Sequence, residues 1–160
     1  MGIIIDQIKQ GKILVSDGAW GTFLQEKGLQ SSECPEEWNI KHPEDVFDIA
    51  KSYIDAGSDM IETNSFGGSR FKLEKYGLAD KVFELNKAAA EISRKAAGDK
   101  FVLGSIGPTG KILMMGEVSE NELYEAFKEQ ATGLEAGGAD AIMIETMTDL
   151  DEARLAVKAA

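Results

Sequence analysis

Residues 56–63 read AGSDMIET, and a closely related stretch, GGADAIMIET, returns at residues 137–146. Each copy is a small turn with an aspartate that leads into an apolar run and then into Glu-Thr. The two copies lie two strand-helix units apart, which is typical of a barrel whose alternate strands place equivalent residues in one layer. In such a barrel the strand-end residues share a common face.

Four short apolar runs along the chain predict buried strands, and near-continuous apolar character suits parallel strands covered on both faces. Each run stops at glycine, asparagine, proline or an acidic residue. The four runs are Ile13–Ser16, Met60–Thr63, Phe101–Ile106 and Ala141–Ile144.

Helical patterns separate these runs. Pro43 opens one helix and Gly57 closes it, and the next helix has apolar residues on one face from Val82 to Ala96. Two further helices begin at capping patterns, Ser119 with Glu122 and Asp149 with Glu152.

Strand and helix alternate four times, which predicts an α/β fold with a parallel sheet, either doubly wound or a barrel. The internal repeat favours a barrel, and four units make half of eight. We therefore predict a (β/α)4 half of a (β/α)8 TIM-type barrel. Because the last helical pattern runs to Ala160 without an ending residue, we expect residues 1–160 to be the N-terminal half, truncated after the fourth unit.

Composition restricts the functional class. Hydrophobic residues make up 43% of the 160 residues, enough for one core. No apolar run is long enough to span a bilayer and no secretion signal is evident, so we predict a cytoplasmic protein without a membrane partner.

Charge and cysteine content restrict the partners further. A net charge of −11 disfavours nucleic acid as a partner. The single cysteine, Cys34, excludes an intrachain disulfide, and we expect a surface thiol there.

Candidate site residues follow the strands, because the reactive groups of a barrel gather at the carboxyl ends of its strands. Asp17 and Glu145 are placed to converge on a cationic group, for which an ammonium is the simplest candidate. The turn at Gly18 and Ala19 offers backbone N–H groups to a carboxylate. Thr63 and Asn64 end the second run. Together these features predict an amino-acid ligand.

Structural roles compete with this interpretation. The Asp17-Gly18 pair is also typical of a plain turn. Glu145 is also suited to a helix cap or an ion pair, Glu62 to packing, and Asn64 to fixing a loop. His42, before a proline at a helix start, is better suited to capping or solvent exposure than to catalysis.

Four motifs in register resemble the homocysteine S-methyltransferase family across essentially the whole chain. They are Asp17–Thr22 (DGAWGT), Ile61–Phe66 (IETNSF), Gly104–Thr109 (GSIGPT) and Ile144–Thr146 (IET). The resemblance implies a zinc-dependent (β/α)8 barrel that binds homocysteine, ionises its thiol on the metal and presents it to a methyl donor derived from methylcobalamin or methylfolate.

The resemblance also assigns roles to single residues. Asp17 and Glu145 match the acidic residues that hold the substrate amino group, and the backbone at Gly18 and Ala19 matches the carboxylate site. Thr63 and Asn64 match motif positions whose role the resemblance leaves open.

The chain differs from the family in its metal ligands. The family's zinc cysteines come from the second half of the barrel, and this sequence has none of them. A free thiol has a pKa of about 8.5, so little thiolate forms at neutral pH without a metal. We therefore expect no metal ligand, no catalytic residue and no resident cofactor, and a chain that binds homocysteine but is inactive alone.

Two other hypotheses remain open. The chain is also suited to be a non-enzymatic half barrel that pairs with a second copy, or with a missing C-terminal half, through open strand edges. A different barrel enzyme, an aldolase or lyase using Glu62 and Glu145 for proton transfer, is disfavoured by the lack of a lysine at a strand end.

Overall fold

A computed structural model describes residues 3–160 of the chain, so residues 1 and 2 of the predicted domain lie outside the described part. Helices and strands alternate along most of it. The α-helices are α1 Ile3–Lys9, α2 Gly21–Glu26, α3 Trp38–Lys41, α4 Pro43–Asp55, α5 Arg70–Leu73, α6 Val82–Ala97, α7 Glu120–Ala136 and α8 Leu150–Ala159. The strands are β1 Met60–Glu62, β2 Phe101–Ile106 and β3 Ala141–Ile144. Single 3₁₀ turns cover Pro35–Glu37, Glu74–Tyr76, Ala79–Lys81 and Leu113–Met115.

The three strands form one parallel sheet in the order β1-β2-β3. Met60 pairs with Phe101, and Leu103 pairs with Ala141. The bounds of β2 and β3 match the prediction, and β1 ends one residue early, before Thr63. Neighbours in the sheet are thus neighbours in sequence, joined by helices, as the alternation of patterns predicts.

The predicted first strand, Ile13–Ser16, is the main correction to the fold. The segment does lie beside β1, because the N–H groups of Asp59 and Met60 both donate to the carbonyl oxygen of Val15, at 2.7 and 3.1 Å. It forms no regular strand, however, and Ile13 is 85% exposed. Among residues 3–160 no strand pairs with its other side, so its apolar residues stay uncovered.

The internal repeat has a structural cause at the amino ends of the strands. Asp59 Oδ2 accepts from the N–H of Val15 at 3.2 Å, and Asp140 Oδ2 accepts from the N–H of Val102 at 2.8 Å. The N–H of Asp140 also donates to the carbonyl oxygen of Val102 at 2.8 Å, as Asp59 does to Val15. Each aspartate therefore ties the start of its strand to the preceding segment, and residues 13–16 occupy the place of a strand before β1.

The core lies between the sheet and the long helices. Leu85 and Ala89 of α6, and Phe127 and Leu134 of α7, are fully buried. The helix α4 begins at Pro43, as predicted, and the buried face of α4 packs near β1. No helix among residues 3–160 is both long and apolar enough to cross a bilayer.

The two predicted capping patterns have different outcomes. Ser119 and Glu122 form the complete capping box at α7. At α8 the carboxylate of Asp149 caps the helix, but Glu152 does not return to it. Glu152 is buried instead, and its Oε1 accepts from the N–H and the hydroxyl of Thr109, at 2.8 and 2.6 Å. This pair ties the loop after β2 to α8, which is a tertiary contact that a local pattern does not predict.

Candidate functional site

A cavity of about 440 Å³ opens at the carboxyl ends of the strands. All six predicted site residues line it: Asp17, Gly18, Ala19, Thr63, Asn64 and Glu145. The other lining residues are Trp20, Gly21, Leu24, Pro35, Glu36, Glu62, Ser65, Phe66 and Ser105. Asp17 and Glu145 therefore meet at one end of the sheet, as the barrel argument requires, while their binding role stays a prediction.

Asp17 is held firmly by its surroundings. Its Oδ2 accepts from the indole N–H of Trp20 and from the backbone N–H of Glu62, both at 2.9 Å. The hydroxyl of Ser16 donates to Oδ1 at 3.0 Å. The carboxylate thus fixes the turn that follows residues 13–16 and couples it to β1, which makes it a preorganised acceptor at the cavity wall.

Tyr53, on α4, packs against the glycine turn. Its hydroxyl donates to the carbonyl oxygen of Ala19 at 2.8 Å. A Cβ at Gly18 would lie 3.3 Å from the same hydroxyl oxygen, so glycine permits this close approach. Burial and the charge of Asp17 raise the pKa of Tyr53, and a hydrogen bond with the backbone of Gly18 opposes them. The phenol of Tyr53 therefore contacts the turn that is predicted to bind the ligand's carboxylate.

Thr63 and Asn64 line the cavity, but their polar atoms are committed to the protein. The hydroxyl of Thr63 accepts from the N–H of Ser105 at 3.0 Å and pairs with the hydroxyl of Ser65. The amide of Asn64 donates to the carbonyl oxygen of Pro35 at 2.7 Å and to Asn39 Oδ1 at 3.1 Å. Asn64 thus fixes a loop, and a ligand contact by either residue stays a prediction.

Glu145 follows β3 and accepts a short hydrogen bond from the hydroxyl of Ser105 on β2. Its alternative role as a helix cap is wrong, because Asp149 caps α8. No basic side chain in the described part of the chain forms an ion pair with it. The next residue, Thr146, has a φ of 58°, a left-handed conformation that is uncommon for a β-branched residue.

Glu62 is an acidic lining residue that the predicted amino-acid site omitted, although the aldolase or lyase hypothesis used it. It is half-buried in the cavity, and its pKa is raised to about 7 by burial first, then by the charges of Glu145 and Asp17. The internal repeat is the sequence feature that could have identified Glu62, because Glu62 and Glu145 occupy the same place in the two copies. Equivalent strand ends of a barrel present equivalent residues to one face.

Cys34 is not the surface thiol that we expected. It is 2% exposed, and its thiol donates to Glu36 Oε2 at 3.2 Å. Burial, followed by the charge of Glu36, raises the pKa of Cys34 to about 12. Glu36 also accepts from the N–H of Gly67 at 2.7 Å, so the loop around residue 34 folds inward against the loop after β1. His42, by contrast, is half-exposed before α4, as predicted.

The cavity is lined by both acidic and apolar side chains. Its acidic side chains are Asp17, Glu36, Glu62 and Glu145, and the lining residues that the structure describes include no lysine, arginine or histidine. Phe66 supplies part of the wall, and its ring packs so tightly on Gly107 that a Cβ there would lie 2.5 Å from it. This arrangement suits a small ligand with a cationic group and an apolar body.

Parallel strands joined by helices, with a cavity lined by acidic residues at the strand ends, define a barrel-type α/β protein. Residues 14–160 match the sequence profile of the homocysteine S-methyltransferase family, and the chain belongs to that family.

Two curated relatives agree with this membership. The chain is 35% identical over 159 residues to methionine synthase from Mycobacterium leprae, an alignment that covers 91% of the chain. It is 34% identical over 167 residues to methionine synthase from Mycobacterium tuberculosis, which covers 96% of the chain. The chain spans 13% and 14% of the length of these relatives.

Solved structures confirm the predicted fold class. The metallated form of the homocysteine methyltransferase MmuM from Escherichia coli matches with a TM-score of 0.80 at 22% identity, over 97% of this chain and 61% of that one. The oxidized form matches with the same TM-score at 24% identity. The chain therefore has the α/β architecture of part of that barrel.

The residues described here do not fit a zinc site. No group of three or more histidine, cysteine, aspartate or glutamate side chains in residues 3–160 is arranged to hold a metal ion. The thiol of Cys34 is turned toward Glu36 and has a raised pKa, whereas zinc binds the thiolate.

Proposed function

We propose that this chain is the homocysteine-binding part of a methionine-synthase-like methyltransferase, with residues 1–160 forming the N-terminal half of the barrel domain. One observation carries the proposal: Asp17 and Glu145, from opposite ends of the chain, line one cavity beside an exposed glycine turn. Family membership supports homocysteine as the amino acid. The single cysteine, which can form no intrachain disulfide, supports a cytoplasmic location.

In this proposal the chain binds and orients the amino acid. The carboxylates of Asp17 and Glu145 hold the ammonium group, and the turn at Gly18 and Ala19 receives the carboxylate. The apolar part of the lining, including Phe66, contacts the side chain. Zinc and a methyl donor derived from methylcobalamin or methylfolate belong to the complete enzyme, and the chain alone is inactive.

Binding of L-homocysteine to the chain, measured by calorimetry under reducing conditions, tests this proposal. We expect Asp17→Asn and Glu145→Gln each to weaken binding at least about tenfold, which corresponds to about 1.4 kcal/mol for a lost charge-assisted contact. Glu26→Gln, an exposed site on α2, is the matched control and should bind normally. Equal affinity of all four proteins would contradict the assigned site.

The proposed inactivity needs a separate measurement. We expect the isolated chain to bind no stoichiometric zinc and to transfer no methyl group to homocysteine. Metal analysis after dialysis against zinc, together with a methyl-transfer assay, checks both points. Turnover by the chain with bound zinc would refute this part of the proposal.

A second candidate function is a half barrel that pairs with a second copy or with a C-terminal half supplied separately. The exposed apolar residues at the edge beside β1 favour it, with Ile13 85% and Val15 56% exposed. Ile13→Lys should then lower the mass measured by light scattering, while the same change at Met114, 92% exposed in the loop after β2, should not. A strictly monomeric parent chain at high concentration would exclude self-pairing.

A further inference from the structure

We propose that Glu62 is a third recognition residue for the amino acid, and that the ligand's ammonium group displaces a proton from Glu62 to solvent. This inference rests on the proposed function and deepens it. It concerns a residue that the predicted site did not include.

The geometry places Glu62 between the two predicted ammonium ligands. Its own backbone N–H donates to Asp17 Oδ2 at 2.9 Å, which ties the end of β1 to the glycine turn. On the other side, its side chain lines the same cavity as Glu145, the residue after β3. The negative charges of Glu145 and Asp17 disfavour ionisation of Glu62, because like charges close together repel.

The cavity lining that the structure describes offers no lysine, arginine or histidine to replace the proton of Glu62. The charged groups that face Glu62 are Asp17, before β1, and Glu145, after β3. Neighbouring elements contribute two hydroxyl groups: Ser105 of β2 donates to Glu145, and Ser93 of α6 donates to the carbonyl oxygen of Glu62 at 3.0 Å. Burial and the two charges raise the pKa of Glu62 to about 7, so the free cavity is partly protonated at neutral pH.

An ammonium group of a ligand changes the protonation of Glu62. It brings a positive charge and three donors to the same carboxyls, so it stabilises the ionised form of Glu62 and replaces its proton. The reaction is the exchange of one ammonium-bearing ligand for one proton, which leaves to water, and no bond other than O–H is broken. Affinity should therefore rise as the pH rises toward 7, by up to about tenfold per pH unit well below it.

Isothermal titration calorimetry of the chain in phosphate and in ACES at pH 6.5 measures the released proton directly, since the two buffers differ in ionisation enthalpy. With L-homocysteine we expect roughly three quarters of a proton per ligand at this pH. L-methionine, which has no thiol to ionise, should release the same amount. Glu62→Gln should bind with no proton release and a flat pH profile, whereas Glu26→Gln should behave as the parent chain.

The outcomes separate this inference from the function it rests on. Binding of L-homocysteine without proton release, or unchanged release from Glu62→Gln, overturns the role of Glu62 and leaves the proposed function standing. Absence of any L-homocysteine binding overturns both. If circular dichroism shows that Glu62→Gln is unfolded, the parent chain provides the test instead. Equal binding enthalpies of the parent chain in the two buffers, after correction for dilution, then overturn the inference.

Discussion

The raised pKa of Glu62 predicts an unusual pH dependence of stability for the unliganded chain. Glu62 holds its proton up to about pH 7 in the folded protein, whereas its ordinary pKa is 4.5. The folded state therefore binds more protons than the unfolded state between these values. The stabilising effect is fully present below pH 4.5 and is lost as the pH rises through about 7. Glu62→Gln should remove this dependence.

The magnitude follows from the two pKa values. Raising a carboxyl pKa from 4.5 to about 7 corresponds to about 3 kcal/mol between the two protonation states. Glu62 is only half-buried, so solvent screening lowers the effect, and part of the change occurs below pH 5. Between pH 5 and pH 8 we expect Glu62→Gln to gain about 2 kcal/mol in unfolding free energy relative to the parent chain.

Urea unfolding followed by circular dichroism at pH 5, 6, 7 and 8 measures this difference. The comparison of variant with parent at each pH cancels the titration of every other group that the substitution leaves unchanged. Glu26→Gln, on the exposed side of α2, is the control and should show a difference independent of pH. A difference for Glu62→Gln that stays constant within about 0.5 kcal/mol from pH 5 to pH 8 would refute the reasoning.

Two further predictions concern residues that adjoin the cavity lining. With a pKa of about 12 against an ordinary 9.0, Cys34 should react with an aromatic disulfide reagent at least about a thousandfold more slowly in the folded chain than in urea, and equal rates would contradict its burial. Gly107→Ala should cost about 1 to 3 kcal/mol in unfolding free energy, because its Cβ would meet the Phe66 ring at 2.5 Å. Gly21→Ala, where a Cβ meets nothing within 4 Å, is the matched control for thermal unfolding, and an equal loss in both would disprove the clash.

The buried strands of the sheet were predictable because their side chains meet the sheet's own helices. The apolar run at Phe101–Ile106 is covered by α6 and α7, and its bounds matched those of β2. The run at Ile13–Ser16 carries an equally clear pattern, yet its coverage depends on a neighbour that residues 3–160 do not provide. A hydrophobic pattern predicts the tendency to be buried, and burial itself needs a partner.

The candidate site was also predictable only in part. The positions of Asp17 and Glu145 followed from strand ends, since topology alone brings strand ends together. The roles of Thr63 and Asn64 did not follow, because their hydrogen bonds reach Ser105, Pro35 and other residues far away in sequence. Cys34 was misjudged for the same reason: its polar neighbours in sequence suggested exposure, but Glu36 and the loop fold inward.

The aspartates at the amino ends of β1 and β3 also bear on how such a site changes in evolution. Asp59 and Asp140 lock the alignment of each strand with its predecessor from the rim opposite the cavity. Because alignment is set there, the side chains of Glu62 and Glu145 at the cavity are released from that task. Residues 62 and 145 are then open to exchange for others, and ligand preference can diverge while the scaffold keeps its geometry.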